Sequence, residues 1–139
     1  MPTTIREVMT GQPVGLPGTA MLVEAARAMR DEDIGDVLVM DGDRICGLVT
    51  DRDLVVRGIA LEMDPNQTML DEICSHELVS VSPDQQIEEA AALMRERAVR
   101  RLPVVEEGRA VGMVTIGDLA VERDPSSALA DITAAPPNE

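Results

Sequence analysis

The sequence of 139 residues contains no phenylalanine, tyrosine or tryptophan. Its core must therefore consist of aliphatic side chains and methionine, and the chain has no aromatic ring on which a nucleic-acid base or a flavin could stack. Lysine is absent too, so the 12 basic residues are all arginine, and 26 acidic residues give a net charge of −14. A surface of this charge repels polyanions, which argues against nucleic acid as a partner.

Long apolar runs, cysteine and histidine are also scarce. No segment is apolar for long enough to span a bilayer, and residues 1–4 lack the pattern of a signal peptide, so we expect a cytoplasmic protein without a membrane partner. The two cysteines are too few for a disulfide framework. Cys74 and the single histidine, His76, offer two metal ligands, which do not complete a site. One histidine also gives no basis for a catalytic triad, so we expect no enzymatic activity, no metal and no required cofactor.

The chain instead contains one long internal repeat. Shifting the sequence by 65 residues aligns Ile5–Val56 with Leu70–Val121 without a gap, and the matched stretches Gly47–Asp53 and Gly112–Asp118 are the most informative. An ungapped repeat of this length is a strong signal of duplicated structure. Each half has about 60 residues, near the lower limit for burying a core alone. We therefore expect the two halves to pack into one domain.

Hydrophobic periodicity predicts the same order of elements in both halves: strand, helix, strand, strand, helix. The predicted elements are strand Val14–Leu16, helix Ala20–Glu32 and strands Val37–Met40 and Ile45–Val49 in the first half, and strand Val79–Val81, helix Gln85–Arg97 and strands Leu102–Val105 and Ala110–Val114 in the second. Thr19 and Asp84 are expected to cap the two long helices. Short acidic turns with glycine indicate that the two later strands form a hairpin. The predicted fold class is α/β, of the α+β kind, with two β-α-β-β-α repeats packed sheet to sheet about a pseudo-twofold axis.

Each half ends in a strand-to-helix turn that carries a threonine and, three residues later, an aspartate. These pairs are Thr50 with Asp53 and Thr115 with Asp118. The free N–H groups at a helix N-terminus can bind phosphate, and a carboxylate in the first turn can accept hydrogen bonds from the two hydroxyls of a ribose. The same spacing also fits a capping box, in which both residues are purely structural. The motif alone does not decide between these interpretations.

The element order, the Gly-x-x-Thr-x-x-Asp ending and the duplication resemble the CBS-domain pair, or Bateman module. The resemblance covers about residues 5–123, and Thr50–Gly58 followed by Asp64–Asn66 is similar to small stand-alone bacterial CBS-pair proteins of the hypoxic-response type. It implies CBS motif 1 at residues 5–60, a linker at 61–68, CBS motif 2 at 69–123 and a partly mobile C-terminal tail at 124–139.

The resemblance further implies a non-catalytic regulatory module that binds adenosyl ligands (AMP, ADP, ATP or S-adenosylmethionine) in clefts between the two motifs. By position in the family pattern, Thr50, Asp53, Thr115, Asp118, Arg100 and Arg101 would hold ribose and phosphate, and Val14, Val37, Val79, Leu102 and Pro103 would flank adenine. Binding would change the geometry of the module and signal to an unknown effector protein. A homodimer is expected as well, because an apolar helix face exceeds the needs of one small module. This face carries Leu54, Val55 and Ile59, with Leu119 and Val121 as its counterpart in the second half.

The two halves differ where Arg100-Arg101 aligns with Gly35-Asp36. Arginine suits phosphate contacts, so we expect a phosphate-bearing ligand to prefer the half with Asp118. Cations at a helix end, where they face the negative end of the dipole, are the plainer explanation of the two arginines. Two other hypotheses stay open. One is an interaction or scaffold protein that binds no nucleotide, and the other is a metal- or redox-linked module that uses Cys74 and His76.

Overall fold

The structure is a computed structural model that describes residues 3–76, 78–123, 132 and 135. Two compact units divide the chain. One lies within residues 13–78, and the other combines the segment up to residue 12 with the segment after residue 78. We call them the first-repeat unit and the second-repeat unit, after the Thr–Asp turn that each contains.

The elements of the first repeat follow the predicted order, and those of the second repeat do so apart from its first strand. In chain order they are α1 (Ile5–Val8), β1 (Thr10–Gly11), β2 (Gly15–Pro17), α2 (Leu22–Glu32), β3 (Asp36–Asp41), β4 (Arg44–Thr50), α3 (Asp51–Asp53), α4 (Ile87–Arg97), β5 (Arg101–Glu106), β6 (Arg109–Thr115) and α5 (Ile116–Arg123). A π-helical segment (Leu54–Gly58) and a 3₁₀ turn (Ile59–Leu61) continue α3, and a further 3₁₀ turn (Leu70–Glu72) opens the second repeat.

Each unit contains one three-stranded sheet. In the first-repeat unit the order is β2-β3-β4, with β2 parallel and β4 antiparallel to β3. In the second-repeat unit the order is β1-β6-β5, and both pairings are antiparallel. The hairpins turn through Gly42 and Gly108 at φ angles of 62° and 80°, which a side chain would disfavour. The predicted mixed α/β class with duplicated strands and helices is confirmed.

The long helices α2 and α4 bury one face each against their sheets. The buried positions are Leu22, Ala25 and Met29 in α2 and Ile87, Ala90 and Met94 in α4. Their spacing of three and four residues is that of an amphipathic helix, as predicted from the sequence. They meet the buried strand residues Val37, Val39 and Val49 in one unit and Leu102, Val104 and Val114 in the other. Burial of an aliphatic side chain contributes about 1.5–3 kcal/mol, and these two clusters therefore hold each unit together.

The predicted caps of the long helices are wrong by two residues. The N-cap positions are Met21 and Gln86, not Thr19 and Asp84. The N–H of each N-cap residue donates to the glutamate three residues later, Glu24 at 2.6 Å and Glu89 at 2.9 Å. A carboxylate in the first turn both accepts this hydrogen bond and faces the positive end of the helix dipole, so it determines where the helix begins.

The opening segment of each repeat packs in the unit of the other repeat. The N–H of Ile5 donates to the carbonyl of Gln85 at 2.8 Å, and the N–H of Leu70 donates to the carbonyl of Ala20 at 2.9 Å. Further along, β1 pairs with β6, and Ser75 pairs with Leu48 of β4. The compact units therefore do not coincide with the sequence repeats, because each unit borrows its opening segment.

The predicted strand Val79–Val81 is wrong, since residue 81 forms only an isolated parallel bridge with Val104. In the first repeat, the N–H of Leu38 donates to the carbonyl of Val14 at 2.9 Å and extends the pairing beside β2. Pro103 stands at the position equivalent to Leu38, and proline has no N–H to donate. The pairing in the second-repeat unit is therefore shorter by one hydrogen bond.

Within the described ranges, no helix combines the length and the apolar character needed to cross a bilayer. The expected mobility of the tail concerns residues 124–139, which lie outside the described residues apart from residues 132 and 135.

Candidate functional site

The two Thr–Asp turns form the capping box that the sequence predicts. The N–H of Thr50 donates to Asp53 Oδ2 at 2.9 Å, and the N–H of Asp53 donates back to Thr50 Oγ1 at 3.1 Å. In the second repeat, the N–H of Thr115 donates to Asp118 Oδ2 at 2.8 Å, and the N–H of Asp118 donates to Thr115 Oγ1 at 3.1 Å. Both turns are thus held in the same reciprocal geometry at the start of a helix.

The caps leave part of each polar group for other partners. Each aspartate uses one carboxylate oxygen, Oδ2, so Oδ1 takes no part in the cap. Each threonine hydroxyl accepts a hydrogen bond and keeps its own proton to donate. All four residues are half-buried. Capping and ligand binding are therefore compatible at both turns, and the two interpretations of the motif do not exclude each other.

The environment of Asp118 is partly desolvated, and the pKa of its carboxyl reflects this. Burial raises the pKa of its carboxyl above the ordinary value, and the hydrogen bonds from the backbone and the hydroxyl of Thr115 offset part of that rise. Burial disfavours the charged form, and additional donors favour it. The carboxylate of Asp118 would therefore gain from hydroxyl groups that approach Oδ1.

The residue opposite each threonine differs in charge between the two sheets. Asp36 is the cross-strand partner of Thr50, and Arg101 is the cross-strand partner of Thr115. The register thus brings an acid beside one motif turn and a cation beside the other. Arg101 thus lies beside the turn with which the family resemblance groups it.

Arg100 is tied to the same turn through its backbone. The N–H of Ile116, the first residue of α5, donates to the carbonyl of Arg100 at 2.9 Å. The equivalent bond in the first repeat runs from the N–H of Asp51 to the carbonyl of Gly35 at 3.0 Å. The side chain of Arg100 is exposed. The structure therefore brings four predicted residues, Thr115, Asp118, Arg100 and Arg101, to one end of the second sheet.

A second charge difference on the helix side was not anticipated from the sequence. Arg57 lies four residues after Asp53, with its Nε 3.9 Å from Asp53 Oδ1 and its side chain 53% exposed. The equivalent residue after Asp118 is Glu122, whose carboxylate accepts a hydrogen bond from the hydroxyl of Thr3 at 3.1 Å. The spacing of four residues on a helix could have revealed this pair. On the strand side, the first turn therefore has an acid and the second turn a cation. On the helix side the order is reversed, with a cation at the first turn and an acid at the second.

The five residues predicted to flank adenine fall into two groups. Val37 and Leu102 lie in the cores of their units at 0% and 1% exposure, and Pro103 is also buried. Val14 and Val79 are partly buried and pack against the same cores. Only Val14 and Val79 thus retain side-chain surface for a ligand.

The comparison with known protein families decides the identity of this fold. The sequence model of the CBS domain matches residues 5–58 and 70–123, which are the two repeats. The chain belongs to the CBS domain family. Two CBS domains in tandem form a CBS pair, so this chain is a CBS-pair regulatory module.

Two relatives cover nearly the whole CBS pair. Hypoxic response protein 1 of Mycobacterium tuberculosis is 38% identical over 119 residues, which is 85% of this chain and 83% of the relative. The CBS domain-containing protein YhcV of Bacillus subtilis is 36% identical over 121 residues, or 87% of this chain and 86% of the relative.

Solved structures of CBS pairs share the fold. The crystal structure of Hypoxic Response Protein I with two coordinated zinc ions has a TM-score of 0.74 at 37% identity, over 86% of this chain and 98% of that one. The CBS domain pair of protein MJ0100, solved with 5′-methylthioadenosine and S-adenosyl-L-methionine, has a TM-score of 0.80 at 20% identity, over 91% and 100%.

Within the described residues, this CBS pair has no cluster of side chains of the size that a structural zinc site needs. No group of three or more histidine, cysteine, aspartate or glutamate side chains within them is placed to hold a metal. Cys74 Sγ lies 3.5 Å from His76 Nε2, which itself lies 3.2 Å from the carbonyl oxygen of Asp71. Burial, and secondarily the charge of Asp71, raise the pKa of the Cys74 thiol. A thiol that holds its proton is a poor metal ligand and a poor nucleophile.

Proposed function

We propose that this CBS pair senses an adenosyl nucleotide, which binds at the second-repeat turn and changes the geometry of the module. The observation that carries the proposal is the placement of Arg101 opposite Thr115, beside a half-buried Asp118 whose Oδ1 is not used by the cap. This arrangement offers a carboxylate for a ribose and a cation for a phosphate at one turn.

Each group has a distinct role in the proposed site. Asp118 Oδ1 accepts hydrogen bonds from the ribose hydroxyls, and the hydroxyl of Thr115 donates to the ribose or to a phosphate oxygen. Arg100 and Arg101 attract the phosphate, which a chain with a net charge of −14 otherwise repels. Charge-assisted hydrogen bonds contribute about 1.5–3 kcal/mol each, enough to offset that long-range repulsion.

The first-repeat turn suits a different ligand in this proposal. Asp36 stands where the second repeat has Arg101, and Arg57 pairs with Asp53 on the helix side. A phosphate next to Asp36 would meet a like charge. We propose that this turn stays without nucleotide or takes an uncharged or cationic adenosyl compound. The pair of protein MJ0100 illustrates that the fold accommodates such compounds, since it was solved with 5′-methylthioadenosine and S-adenosyl-L-methionine.

Signalling, not catalysis, is the proposed output. A ligand shifts a protein between two arrangements only through its different affinity for each, and an effector protein would respond to the favoured one. We also propose a homodimer. Val55, Val56, Ile59 and Leu61 are 42–67% exposed on one short helical stretch of the first-repeat unit. Clustered exposed apolar side chains are typical of a protein–protein contact, and sedimentation at micromolar concentration measures whether they form one.

The reciprocal caps support a second candidate function, a scaffold that binds no nucleotide. They account for both Thr–Asp pairs without any ligand. Under that function, the motif would serve only to start two helices.

Native mass spectrometry of the purified protein, followed by calorimetric titration with AMP and ATP, distinguishes the two functions. The sensor predicts one nucleotide bound per chain, returned unchanged after incubation. Absence of binding for AMP, ADP, ATP and S-adenosylmethionine alike would contradict the sensor and leave the scaffold. Turnover that tracks the purified protein would contradict the absence of catalysis.

A further inference from the structure

An apolar groove lies between α4 and α5 of the second-repeat unit. Its volume is about 310 Å³, and its lining includes Met94, Val99, Ile116, Leu119 and Ala120. The side chain of Ile116 is 45% exposed, so apolar surface faces solvent at this groove. Exposed apolar surface of this kind is typical of a face that another protein covers.

The same place in the first-repeat unit has the opposite shape. The residue equivalent to Ala120 is Val55, which is 56% exposed, whereas Ala120 is partly buried in the groove lining. Val56 and Ile59 extend the exposed apolar surface beside Val55. If two first-repeat faces met, one exposed valine would stand against another. A first-repeat face against a second-repeat face instead sets the larger side chain against the groove.

The charges next to these two faces are also opposite. Residues 31–36 hold four acids and no cation, whereas the equivalent residues 96–101 hold three arginines and one acid. The last residues of α2 and α4, Glu32 and Arg97, stand at equivalent positions and are both exposed. Opposite charges attract across an interface and like charges repel, so these ends favour contact between unlike units.

Backbone hydrogen bonds place the charged ends beside the apolar faces. The N–H of Asp51, four residues before Val55, donates to the carbonyl of Gly35 at 3.0 Å. The N–H of Ile116, which lines the groove, donates to the carbonyl of Arg100 at 2.9 Å. Each apolar face therefore has its charged segment at one side, as an interface with a polar rim has.

We infer that the first-repeat unit of one copy docks on the second-repeat unit of a second copy, with Val55 at the groove and Glu32 beside Arg97. The inference rests on the homodimer of the proposed function and adds which faces meet. In a dimer with twofold symmetry, each copy makes this contact twice. Shape and charge thus select the pairing of unlike units over the pairing of like ones.

Reversing the two equivalent charges tests which faces meet. Glu32→Arg and Arg97→Glu should each weaken dimerisation by about tenfold in sedimentation equilibrium, because repulsion replaces attraction in both contacts. The double variant Glu32→Arg/Arg97→Glu restores opposite charges and should return to within about threefold of wild type. If like units met, each single reversal would only exchange one repulsion for another and leave dimerisation unchanged.

Filling the groove tests the apolar part of the contact. Ala120→Leu should weaken dimerisation by about tenfold, because the added side chain occupies the space that Val55 of the other copy needs. Ala92→Leu is the matched control, since Ala92 is exposed on α4 outside the groove lining. It should leave dimerisation within about twofold of wild type. Far-ultraviolet circular dichroism of both variants checks that the fold is kept.

Arg109→Glu is the control for the charge reversals. Arg109 is exposed in the hairpin and pairs with Glu106, at the opposite end of β5 from Arg101. The variant has the net charge of Arg97→Glu and should dimerise within about twofold of wild type.

Unchanged dimerisation in both single reversals, or a double variant weaker than either of them, would overturn the inference. So would equal dimerisation of Ala120→Leu and Ala92→Leu. A wild type that sediments as a monomer at tens of micromolar would overturn the proposed homodimer together with the inference, and would leave the groove to a different protein. A dimer that ignores these substitutions defeats the inference alone, and the nucleotide titrations are read independently of both.

Discussion

The first-repeat and second-repeat turns share one cap geometry, with N–H to carboxylate distances of 2.9 and 2.8 Å, but they differ in the charges around it. Asp36 and Arg57 flank Asp53, whereas Arg101 and Glu122 flank Asp118 at equivalent positions. The cap starts a helix in either unit and so has the same task in both. The flanking charges differ between the two units, and in the proposed function this difference distinguishes two ligands.

The largest expected effect concerns one glycine in each unit, against which an opening segment packs. An alanine Cβ at Gly47 would stand 2.8 Å from the carbonyl oxygen of Ser75, and one at Gly112 would stand 2.7 Å from that of Thr10. Backbone atoms cannot turn away, so Gly47→Ala and Gly112→Ala should each lower the free energy of unfolding by about 2 kcal/mol. Urea unfolding followed by far-ultraviolet circular dichroism measures this in a chain without aromatic residues.

Gly11→Ala is the matched control for both glycine variants. A Cβ at Gly11 meets nothing within 4 Å. Its effect should stay within about 0.5 kcal/mol. Equal stability of Gly47→Ala and Gly11→Ala would mean that the segment with Ser75 does not pack closely against Gly47.

The next effect exchanges the strand-side charges. Arg101→Asp gives the second repeat the acid of the first, and it should weaken ATP binding by about tenfold or more, the scale of one charge-assisted hydrogen bond. Adding Asp36→Arg to this variant should restore part of the affinity at the first turn. Calorimetry at low and high salt measures both, because contacts between exposed charges weaken as salt is added. Unchanged binding in Arg101→Asp would remove the charge difference from the explanation.

A smaller effect concerns the caps, which should be of equal value in the two units. Thr50→Ala and Thr115→Ala each remove the hydroxyl oxygen that accepts the N–H of the aspartate. Each should lower the free energy of unfolding by about 1 kcal/mol. Thr50→Ser and Thr115→Ser keep the oxygen and should remain close to wild type. A serine variant as unstable as its alanine counterpart would indicate that methyl packing, not capping, matters.

The smallest effect is a pH dependence that arises from Asp118 of the second repeat. Burial raises the pKa of Asp118 in the folded state above the ordinary value of 3.8. The folded state then holds this proton to higher pH than the unfolded state, so the contribution of Asp118 to stability is present at acid pH and falls as pH rises from 3.8 through the raised pKa. Urea unfolding of wild type and Asp118→Asn should show wild type losing stability relative to the variant across this window. A gain instead would contradict the desolvated environment.

The sequence predicts the parts of the fold that rest on periodicity and duplication. Helix faces such as Met29 and Met94, the hairpins and the two capping boxes follow from local spacing and were all expected. The caps at Met21 and Gln86 and the missing strand at Val79 were not, because they depend on which residue supplies a hydrogen bond. The sequence also could not predict that the opening segment of each repeat packs in the unit of the other repeat. The alignment of the two repeats does not specify which unit such a segment joins.

At the candidate site, the sequence anticipated residues but not all of their neighbours. The family resemblance grouped Arg101 with the second turn, and the strand register pairs it with Thr115. The buried state of Val37 and Leu102 follows from which face of the strand packs on the helix, and the family pattern alone does not specify that. Arg57 and Glu122 stand at equivalent positions on the helix side and have opposite charges. Each lies four residues after the aspartate of its motif, so the sequence indicates its position only if the turn is assumed to continue as a helix.

The most direct measurement of the central claim is a calorimetric titration of AMP into wild type, Asp118→Asn and Asp53→Asn. Asparagine keeps an oxygen for the cap but has no second acceptor for a ribose hydroxyl, so folding should be preserved. We predict that Asp118→Asn weakens AMP binding by about tenfold or more, whereas Asp53→Asn changes it by less than about twofold. The reverse result, with loss of binding in Asp53→Asn and wild-type binding in Asp118→Asn, would contradict the assignment of the nucleotide to the second repeat.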